Sequence, residues 1–358
     1  MKKQEQKEYL FLFADLKGST EVAKDPELYK KYMTSFHWAV TRAKYFLRSN
    51  YVFPQAHFRR IIQNIEIIGD EVSSFTMIND ANETEKEDLV ASSVSFLYML
   101  ELYWLASPIN FKKLQEKTAP YEISAGLHIG HAHNIESESS RKLISYHINI
   151  TKGIQEEAKD CEHSKIYATY DVKNYYNSWR SKLLDELQTP ELRPPLVYTG
   201  FKENPKNISI RGDKKNVIDL WELSLFFDKH KEDIDDLFKE MATLNDKAEY
   251  QAETASGIMS SNYLICKGNP FRYSDGRNAI YNCNYKSAEQ YITLWFKALK
   301  QSSYTFINSS FMALNFLMIS SSFIRHPEVH DSKKKEYKKI LENLYNEMKK
   351  RFFNGDGQ

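Results

Sequence analysis

The segment FADLKGST (residues 13–20) closes an apolar run that begins at Tyr9. A short apolar run bounded by turn residues is typical of a buried β-strand. The Gly-Ser-Thr triplet that ends the segment favours the start of a helix. The segment therefore predicts a strand over residues 9–16 with Asp15 at its end, followed by a helix that begins at this triplet and runs to about Ser49.

A second acidic motif, IGDE (residues 68–71), lies inside an apolar stretch at 61–78. Gly-Asp is typical of a hairpin turn, so we predict a β-hairpin over residues 59–78. If this hairpin lies beside the first strand, Asp15 and Asp70 present two carboxylates at one edge of a sheet, which suits divalent cations. A helix cap for Asp15 and a plain turn for Asp70 are the alternatives.

The composition is that of a globular chain of 358 residues, 42% of them hydrophobic, which is long enough for two domains. A formal net charge of +1 gives no field that favours nucleic acid or an anionic membrane, so we expect neither partner. Three widely spaced cysteines fit a reducing compartment. The N-terminus has no apolar signal region, and the apolar stretch at 311–324 is shorter than a bilayer span, so we expect a buried helix there and a cytoplasmic protein.

Strand and helix patterns alternate over the first 226 residues. Helical spacing occurs at 84–106, 149–160 and 171–187, and strand patterns occur at 121–130, 164–169, 197–201, 208–211 and 217–223. The later pattern is helical at 233–245, 287–301 and 333–353, around a long loop at 260–286. We therefore predict an α+β domain over residues 1–226 and a mainly helical domain over residues 227–358.

The two aspartate motifs are followed by SAGLHIG (residues 124–130), by HINI (residues 147–150) and by a weaker hairpin pattern at 210–223. This ordered set resembles the class III nucleotide cyclases over about residues 8–226. The resemblance implies a ferredoxin-like, antiparallel-rich sheet with flanking helices that dimerises head to tail, with catalytic sites between the subunits. We expect His128, within the third motif, to be a packed and hydrogen-bonded core residue.

The resemblance also implies a role for each motif. Asp15, Leu16 and Asp70 would hold two Mg²⁺ or Mn²⁺ ions. Asn149 of the second subunit would orient the ribose, although it could instead cap its own helix. Phosphates would meet backbone amides at a helix N-terminus, where the dipole favours anions. The residues with this expected role are Lys17, Gly18, Ser19 and Thr20, joined by Arg211, which could instead be merely solvated.

One position departs from the pattern of purine cyclases, and a second bears on which base is bound. Gly153 occupies the place of an arginine that stabilises the transferring phosphate, so another cation replaces it or the domain is not a catalyst. The nearby candidates are Lys152, Arg141 and Lys142. Glu66 stands where adenylate cyclases have a lysine and guanylate cyclases a glutamate. A carboxylate there accepts hydrogen bonds from guanine, uracil or cytosine.

A compact cyclase domain with a helical extension resembles the Pycsar-type pyrimidine cyclases of bacterial antiphage defence. In that subgroup a residue such as Tyr51 shapes the base pocket, with Arg59 and Arg60 as rivals here; Tyr51 could equally pack under the preceding helix. The resemblance implies UTP, in preference to CTP, as substrate, a cyclic monophosphate read by a separate effector, and a sensor-like C-terminal domain. The alternatives are a guanylate cyclase, suggested by Glu66, and a non-catalytic nucleotide-binding or dimerisation domain, suggested by Gly153.

Overall fold

The structure is a computed structural model, and it describes eleven stretches of the chain. They are residues 6–49, 55–105, 107–116, 118, 121–137, 140–160, 165–186, 200–202, 204–209, 217–224 and 331–348. Several predicted features lie outside these stretches: the helices at 233–245 and 287–301, the loop at 260–286, the apolar stretch at 311–324 and the domain boundary at 226.

Most of the described strands and helices follow one another in the order that the sequence predicts, with two further helices and one further strand. The strands are β1 (Gln6–Leu16), β2 (Ile65–Ile68), β3 (Glu71–Met77), β4 (Ile123–Ser137), β5 (Ser140–Ile144), β6 (Ile166–Ala168), β7 (Gly200–Phe201), β8 (Lys206–Ser209) and β9 (Val217–Ser224). The helices are α1 (Ser19–Val22), α2 (Pro26–Ser49), α3 (Gln55–Gln63), α4 (Glu83–Leu105), α5 (Pro108–Gln115), α6 (Tyr146–Asp160), α7 (Tyr170–Glu186) and α8 (Asp331–Met348).

The strands form one mostly antiparallel sheet in the order β2-β3-β1-β4-β6-β9-β7, with β5 beside β4 and β8 beside β9. Among the described strands, β4 and β6 are the one parallel pair, and α6 lies in the connection between them. A sheet of this kind flanked by helices confirms the predicted α+β fold class.

The central strand β1 is buried on both of its faces. Leu10, Leu12 and Ala14 lie on one face, whereas Phe11 and Phe13 lie on the other, and each is at most 4% exposed. This explains why the sequence of β1 is continuously apolar rather than alternating. On the Phe11 face, α6 packs against β1 and β4.

The close approach of α6 to the sheet depends on a glycine. A Cβ atom on Gly126 of β4 would lie 2.8 Å from the backbone nitrogen of Gln155 and 2.8 Å from the backbone oxygen of Thr151. Gly130, farther along β4, faces the ring of His147 in the first turn of α6. The helix therefore runs antiparallel to β4, and its last turn reaches the edge where β4 begins.

The predicted hairpin over residues 59–78 is correct only from β2 onward. Residues 59–63 are helical and belong to α3, where the adjacent residues Ile61 and Ile62 are both buried. Neighbouring side chains of a strand point to opposite faces, whereas a helix can turn two neighbours toward the same core.

The predicted helix from the Gly-Ser-Thr triplet to Ser49 is also interrupted. Its first part, α1, is a four-residue helix, and α2 begins separately at Pro26. Oδ1 of Asp25 accepts hydrogen bonds from the backbone N–H groups of Glu27 and Leu28, at 3.0 and 3.1 Å. Asp-Pro is therefore the start signal of the long helix, because the aspartate caps it and proline suits its first position.

The described elements belong to two compact units. One unit contains the whole described sheet and falls within residues 1–104, 121–186 and 200–224, and the other includes α5 and α8. Helix α8 confirms the predicted late helical segment at 333–353 as far as residue 348, and residues 349–353 lie outside the described residues. Within the described ranges, none of the helices combines the length and the apolar character that a membrane span requires.

Candidate functional site

The register of β1 brings the two predicted aspartates together. Asp15 pairs with Glu71 on β3 and with Ser124 on β4. The backbone N–H of Leu16 donates to the carbonyl oxygen of Asp70 at 3.4 Å. The first strand and the hairpin are therefore neighbours, which meets the condition for a shared edge, and both aspartates lie at that edge of the sheet.

The turn of the hairpin requires its glycine. Gly69 has a φ of 63°, in the left-handed region that side chains with a Cβ rarely adopt. Asp70 follows directly, and β3 begins at Glu71. The turn thus delivers Asp70 to the end of β1 through a two-residue connection.

The two oxygens of the Asp15 carboxylate have different surroundings. Oδ2 accepts a hydrogen bond from Nζ of Lys159 at 2.6 Å and one from Nε2 of Gln155 at 3.4 Å. Oδ1 is buried and accepts no hydrogen bond from any residue that the structure describes. Gln155 and Lys159 lie one turn apart on α6, so both donors come from the same helix face.

The charge state of Asp15 reflects opposing influences. Burial raises the pKa of its carboxyl group above the ordinary value, and the charge of Asp70 raises it further. The hydrogen bond and the charge of Lys159 act in the other direction and lower the pKa. A cation is therefore favoured at this carboxylate, because it offsets both the burial and the repulsion from Asp70.

The residues present fit a divalent cation. A buried carboxylate oxygen that accepts no hydrogen bond is costly, and a metal ion would satisfy Oδ1 of Asp15. No group of three or more His, Cys, Asp or Glu among the described residues is arranged to hold a metal. Mg²⁺ commonly uses one or two carboxylates together with water and substrate phosphates, so Asp15 and Asp70 suffice as the protein carboxylates of such a site.

The predicted phosphate-binding segment is shorter than expected. The backbone N–H of Lys17 donates to the carbonyl oxygen of Glu122 at 3.0 Å, and the Tyr32 hydroxyl donates to the Lys17 carbonyl at 3.2 Å. Gly18 adopts a φ of 87° ahead of the one-turn helix α1. The amides that precede the first intrahelical bond, those of Gly18, Ser19 and Thr20, are therefore the candidate phosphate donors.

Lys152, a predicted substitute for the absent arginine, lies on the face of α6 that looks toward β1 and β3. Its Nζ is 3.2 Å from Oε2 of Glu71 and 6.0 Å from the centre of the Phe13 ring. It therefore contacts the aspartate-bearing edge of its own chain. The side chains of the other two candidates, Arg141 and Lys142, lie outside the described residues.

Asn149 is exposed and is the fourth residue of α6, which begins three residues earlier than predicted. The helix-cap interpretation of Asn149 is wrong, because Oγ of Ser145 accepts the hydrogen bond from the N–H of His147 at 3.0 Å and caps the helix. Ten residues of helix, about 15 Å, separate Asn149 from Lys159 at the Asp15 carboxylate. Asn149 therefore does not join the aspartates of its own chain.

Glu66 shares a sheet face with Asp15. It pairs with Ser73, two residues along β3 from Glu71, and Glu71 in turn pairs with Asp15. Because side chains alternate along a strand, all four lie on the face that α6 partly covers, and Glu66 is exposed there. Of the rival base-pocket residues, Arg60 donates to the carbonyl oxygen of Met77 at 2.6 Å.

Tyr51 and Arg211 lie outside the described residues. His128 is confirmed as a packed, hydrogen-bonded core residue: it is 9% exposed and contacts Oγ1 of Thr169 at 3.0 Å. Its other ring nitrogen lies 2.7 Å from Nδ1 of His147. Burial, together with the neighbouring His147, lowers the pKa of His128 to about 3.

The sequence interpretation did not identify Gln155 and Lys159 as site residues. The sequence gives little sign of their role, because polar residues spaced i, i+4 on a helix ordinarily lie on a solvent-exposed face. Topology provides a stronger signal, because a helix that connects two parallel strands runs back antiparallel to the first of them. Its last turn must then lie near the residues that pair with the start of β4, which include Asp15.

No family model matches this chain, and no curated protein matches it. Among solved structures, the guanylyl cyclase Cya2 is 14% identical, with 64% of this chain and 97% of that chain covered, at a TM-score of 0.38. The guanylate cyclase domain of RhGC from Catenaria anguillulae, in complex with GTP, is 10% identical, with coverage of 62% and 100% and a TM-score of 0.37. A class III adenylyl cyclase-like ATP-binding protein from Pseudomonas aeruginosa is 15% identical, with coverage of 51% and 37% and a TM-score of 0.32.

Proposed function

We propose that this chain is a class III nucleotide cyclase that converts UTP, in preference to CTP, to the 3′,5′-cyclic monophosphate and pyrophosphate. The observation that carries the proposal is the convergence of Asp15 and Asp70 at one sheet edge, where Oδ1 of Asp15 accepts no hydrogen bond from the described residues. The order of the sequence motifs supports the same function, since it matches the order in which class III nucleotide cyclases carry theirs.

In the proposed site, Asp15 and Asp70 bind Mg²⁺ or Mn²⁺ next to the main chain at Leu16. Such ions, when bound, promote attack by the ribose 3′-oxygen and neutralise charge on the triphosphate. The amides of residues 18–20 donate to phosphate oxygens, and their fixed positions spare the reaction the cost of reorganising water. The chain thereby orients the triphosphate in line with the attacking oxygen.

The proposed active site is completed by a second copy of the chain. Asn149 is exposed and lies about 15 Å of helix from the aspartate edge, so it is available to a site that faces another subunit. In a head-to-tail homodimer, each subunit contributes aspartates to one site and Asn149 to the other, where its amide would orient the ribose. A two-fold axis makes the two sites equivalent.

Glu66 is the proposed base-reading residue. Its carboxylate accepts hydrogen bonds, which matches N3–H of uracil or the amino group of cytosine. It also matches guanine, so a guanylate cyclase is the second candidate function. The preference for a pyrimidine follows from the resemblance to the Pycsar-type enzymes, in which Tyr51 would narrow the base pocket.

The product would act as a second messenger for a separate effector that senses cyclic nucleotides, in a defence role of the kind that the resemblance implies. In this proposal residues 1–226 form the cyclase domain, and residues 227–358 form a sensor-like domain. Arg211 would contact phosphate from the closing hairpin of the first domain.

The experiment is incubation of the full chain with each of the four nucleoside triphosphates and Mn²⁺, with products separated by chromatography and identified by mass. We expect cyclic UMP as the main product, less cyclic CMP, and no product from Asp15→Ala or Asp70→Ala. Product from GTP alone would replace the pyrimidine proposal with the guanylate one. No turnover of any nucleotide by the wild type would favour a binding domain.

A further inference from the structure

The strongest unexplained feature of the site is the ion pair at Asp15. Nζ of Lys159 lies 2.6 Å from Oδ2, and the side chains of Lys159 and Asp15 are only 29% and 14% exposed. An ion pair that is largely removed from water is screened less than a surface pair. Lys159 therefore places a weakly screened ammonium group in direct contact with a proposed metal ligand.

The position of Lys159 is supported by its neighbours on α6. Gln155, one turn earlier and 1% exposed, donates to Oδ2 of Asp15 at 3.4 Å and to Oγ of Ser124 at 3.3 Å. The close packing of α6 on Gly126 fixes the height of this turn above the sheet. Oδ2 thus has two donors whose positions are set by the fold, whereas Oδ1 has none among the described residues.

We propose that the Lys159 ammonium takes the place of one of the two cations, so that the site binds a single divalent ion on Oδ1 of Asp15. This inference rests on the proposed function only in using the same carboxylate as a metal ligand. A second divalent ion on Oδ2 would have to displace Lys159 and would repel its ammonium group. Lys159 instead remains on Oδ2 and presents its charge to the triphosphate, at a site that lacks the arginine replaced by Gly153.

Lys152 provides the matched control. It also projects from α6 and also pairs with a carboxylate of this edge, but that carboxylate belongs to Glu71 and the Lys152 side chain is 50% exposed. Removing Lys152 changes the charge of the edge by the same amount and leaves both oxygens of Asp15 as they are. A difference in metal binding between variants that lack Lys159 and variants that lack Lys152 therefore reports the effect of the ammonium group on Oδ2.

The test counts ions directly. Crystals of the full chain are grown with Mn²⁺ and inorganic tripolyphosphate, a probe that presumes no base, and Mn²⁺ is located by anomalous diffraction. We expect one Mn²⁺ in the wild type, on Oδ1, with Lys159 still on Oδ2. Lys159→Met should gain a second Mn²⁺ on Oδ2, whereas Lys152→Met should keep one.

Two Mn²⁺ ions at Asp15 in the wild type, with Lys159 moved away, would overturn the inference. A single ion in Lys159→Met would also overturn it, because the lysine would then not be what excludes the second ion. The number of Mn²⁺ ions bound at Asp15 in the wild type tests the inference even if a variant fails to fold. Nucleotide turnover is measured separately, so an active enzyme with two ions contradicts only this inference, and an inactive protein with one ion contradicts only the proposed function.

Discussion

Nε2 of His128 on β4 lies 2.7 Å from Nδ1 of His147 in the first turn of α6. A neutral imidazole has one donor and one acceptor nitrogen, so this contact requires at least one of the two rings to be neutral. The ring planes are 27° apart and the centroids 5.0 Å apart. The pair joins the sheet to the beginning of the helix that carries Asn149.

The first prediction concerns pH and stability. The pKa of His128 is lowered to about 3 by burial and by His147, against an ordinary value of about 6.5 in the unfolded chain. Between these values the unfolded state binds a proton that the folded state does not, so the free energy of unfolding falls as the pH drops below about 6.5. Well below that pH, the loss approaches about 1.4 kcal/mol per pH unit.

Urea denaturation from pH 7.5 to 5 measures this slope. His128→Gln should be less stable at pH 7.5, yet lose less stability on acidification, because its side chain does not titrate. His147 also has a lowered pKa and remains in the variant, so the difference between the two slopes reports His128. Equal slopes would contradict the assignment.

The second prediction concerns the two glycines of β4 beneath α6. A Cβ on Gly126 meets backbone atoms of Thr151 and Gln155, which cannot move without shifting the helix, whereas a Cβ on Gly130 meets the His147 ring, at 2.3 Å from its nearest atom. We expect Gly126→Ala and Gly130→Ala each to cost about 1–3 kcal/mol of stability. The added Cβ at Gly130 also lies 2.8 Å from the His147 Cβ, which rotation of the imidazole does not move, and rotation would break the contact with His128. Chemical denaturation measures both variants, and wild-type stability in either would contradict the close packing of α6 on β4.

The third prediction tests the composite site. Asp15→Ala and Asn149→Ala should each abolish turnover as homodimers. When the two are mixed and allowed to exchange subunits, each heterodimer regains one intact site, so a 1:1 mixture should recover about a quarter of wild-type activity. Mixing Asp15→Ala with Asp70→Ala is the control and should recover nothing, since one chain must supply both aspartates. Recovery in the control, or none in the first mixture, would contradict the arrangement.

The fourth prediction concerns base reading by Glu66. Glu66→Gln removes a charged acceptor worth about 1.5–3 kcal/mol, so kcat/KM for the preferred nucleotide should fall about 10- to 100-fold. Asp80→Asn changes the same charge at an exposed position beyond the far end of β3 and should leave kcat/KM within about twofold. Steady-state kinetics with UTP, CTP and GTP measures both variants. An unchanged kcat/KM for the preferred nucleotide in Glu66→Gln would contradict base reading, and so would an equal loss in Asp80→Asn.

Much of the fold could be predicted because its signals are local. Apolar runs and turn residues identified β1, the turn at Gly69, β6 and β9, and helical spacing identified α4 and α7. The misplaced boundaries have local causes as well. The Asp25-Pro26 start signal divides the predicted helix in two, and the apolar run at Ile61 and Ile62 predicts a strand where the buried pair is helical.

The extension of β4 to Ser137 and its pairing with β5 were not predicted. The sequence of this hairpin alternates between apolar and polar residues too weakly to distinguish it from a loop. Its strands form because β4 and β5 pair with each other, not because of local strand preference. Likewise Ser145, rather than Asn149, caps α6, although both are common capping residues.

Local signals were enough to predict one aspartate at the end of a strand and another in a hairpin turn, since each depends on a few neighbouring residues. The α+β class follows likewise from the order of strand and helix patterns. The contacts of the Asp15 carboxylate, in contrast, depend on how distant segments pack. Lys159 lies 144 residues away and reaches it because α6 returns antiparallel to β4 over Gly126, a packing between distant segments that no local pattern encodes.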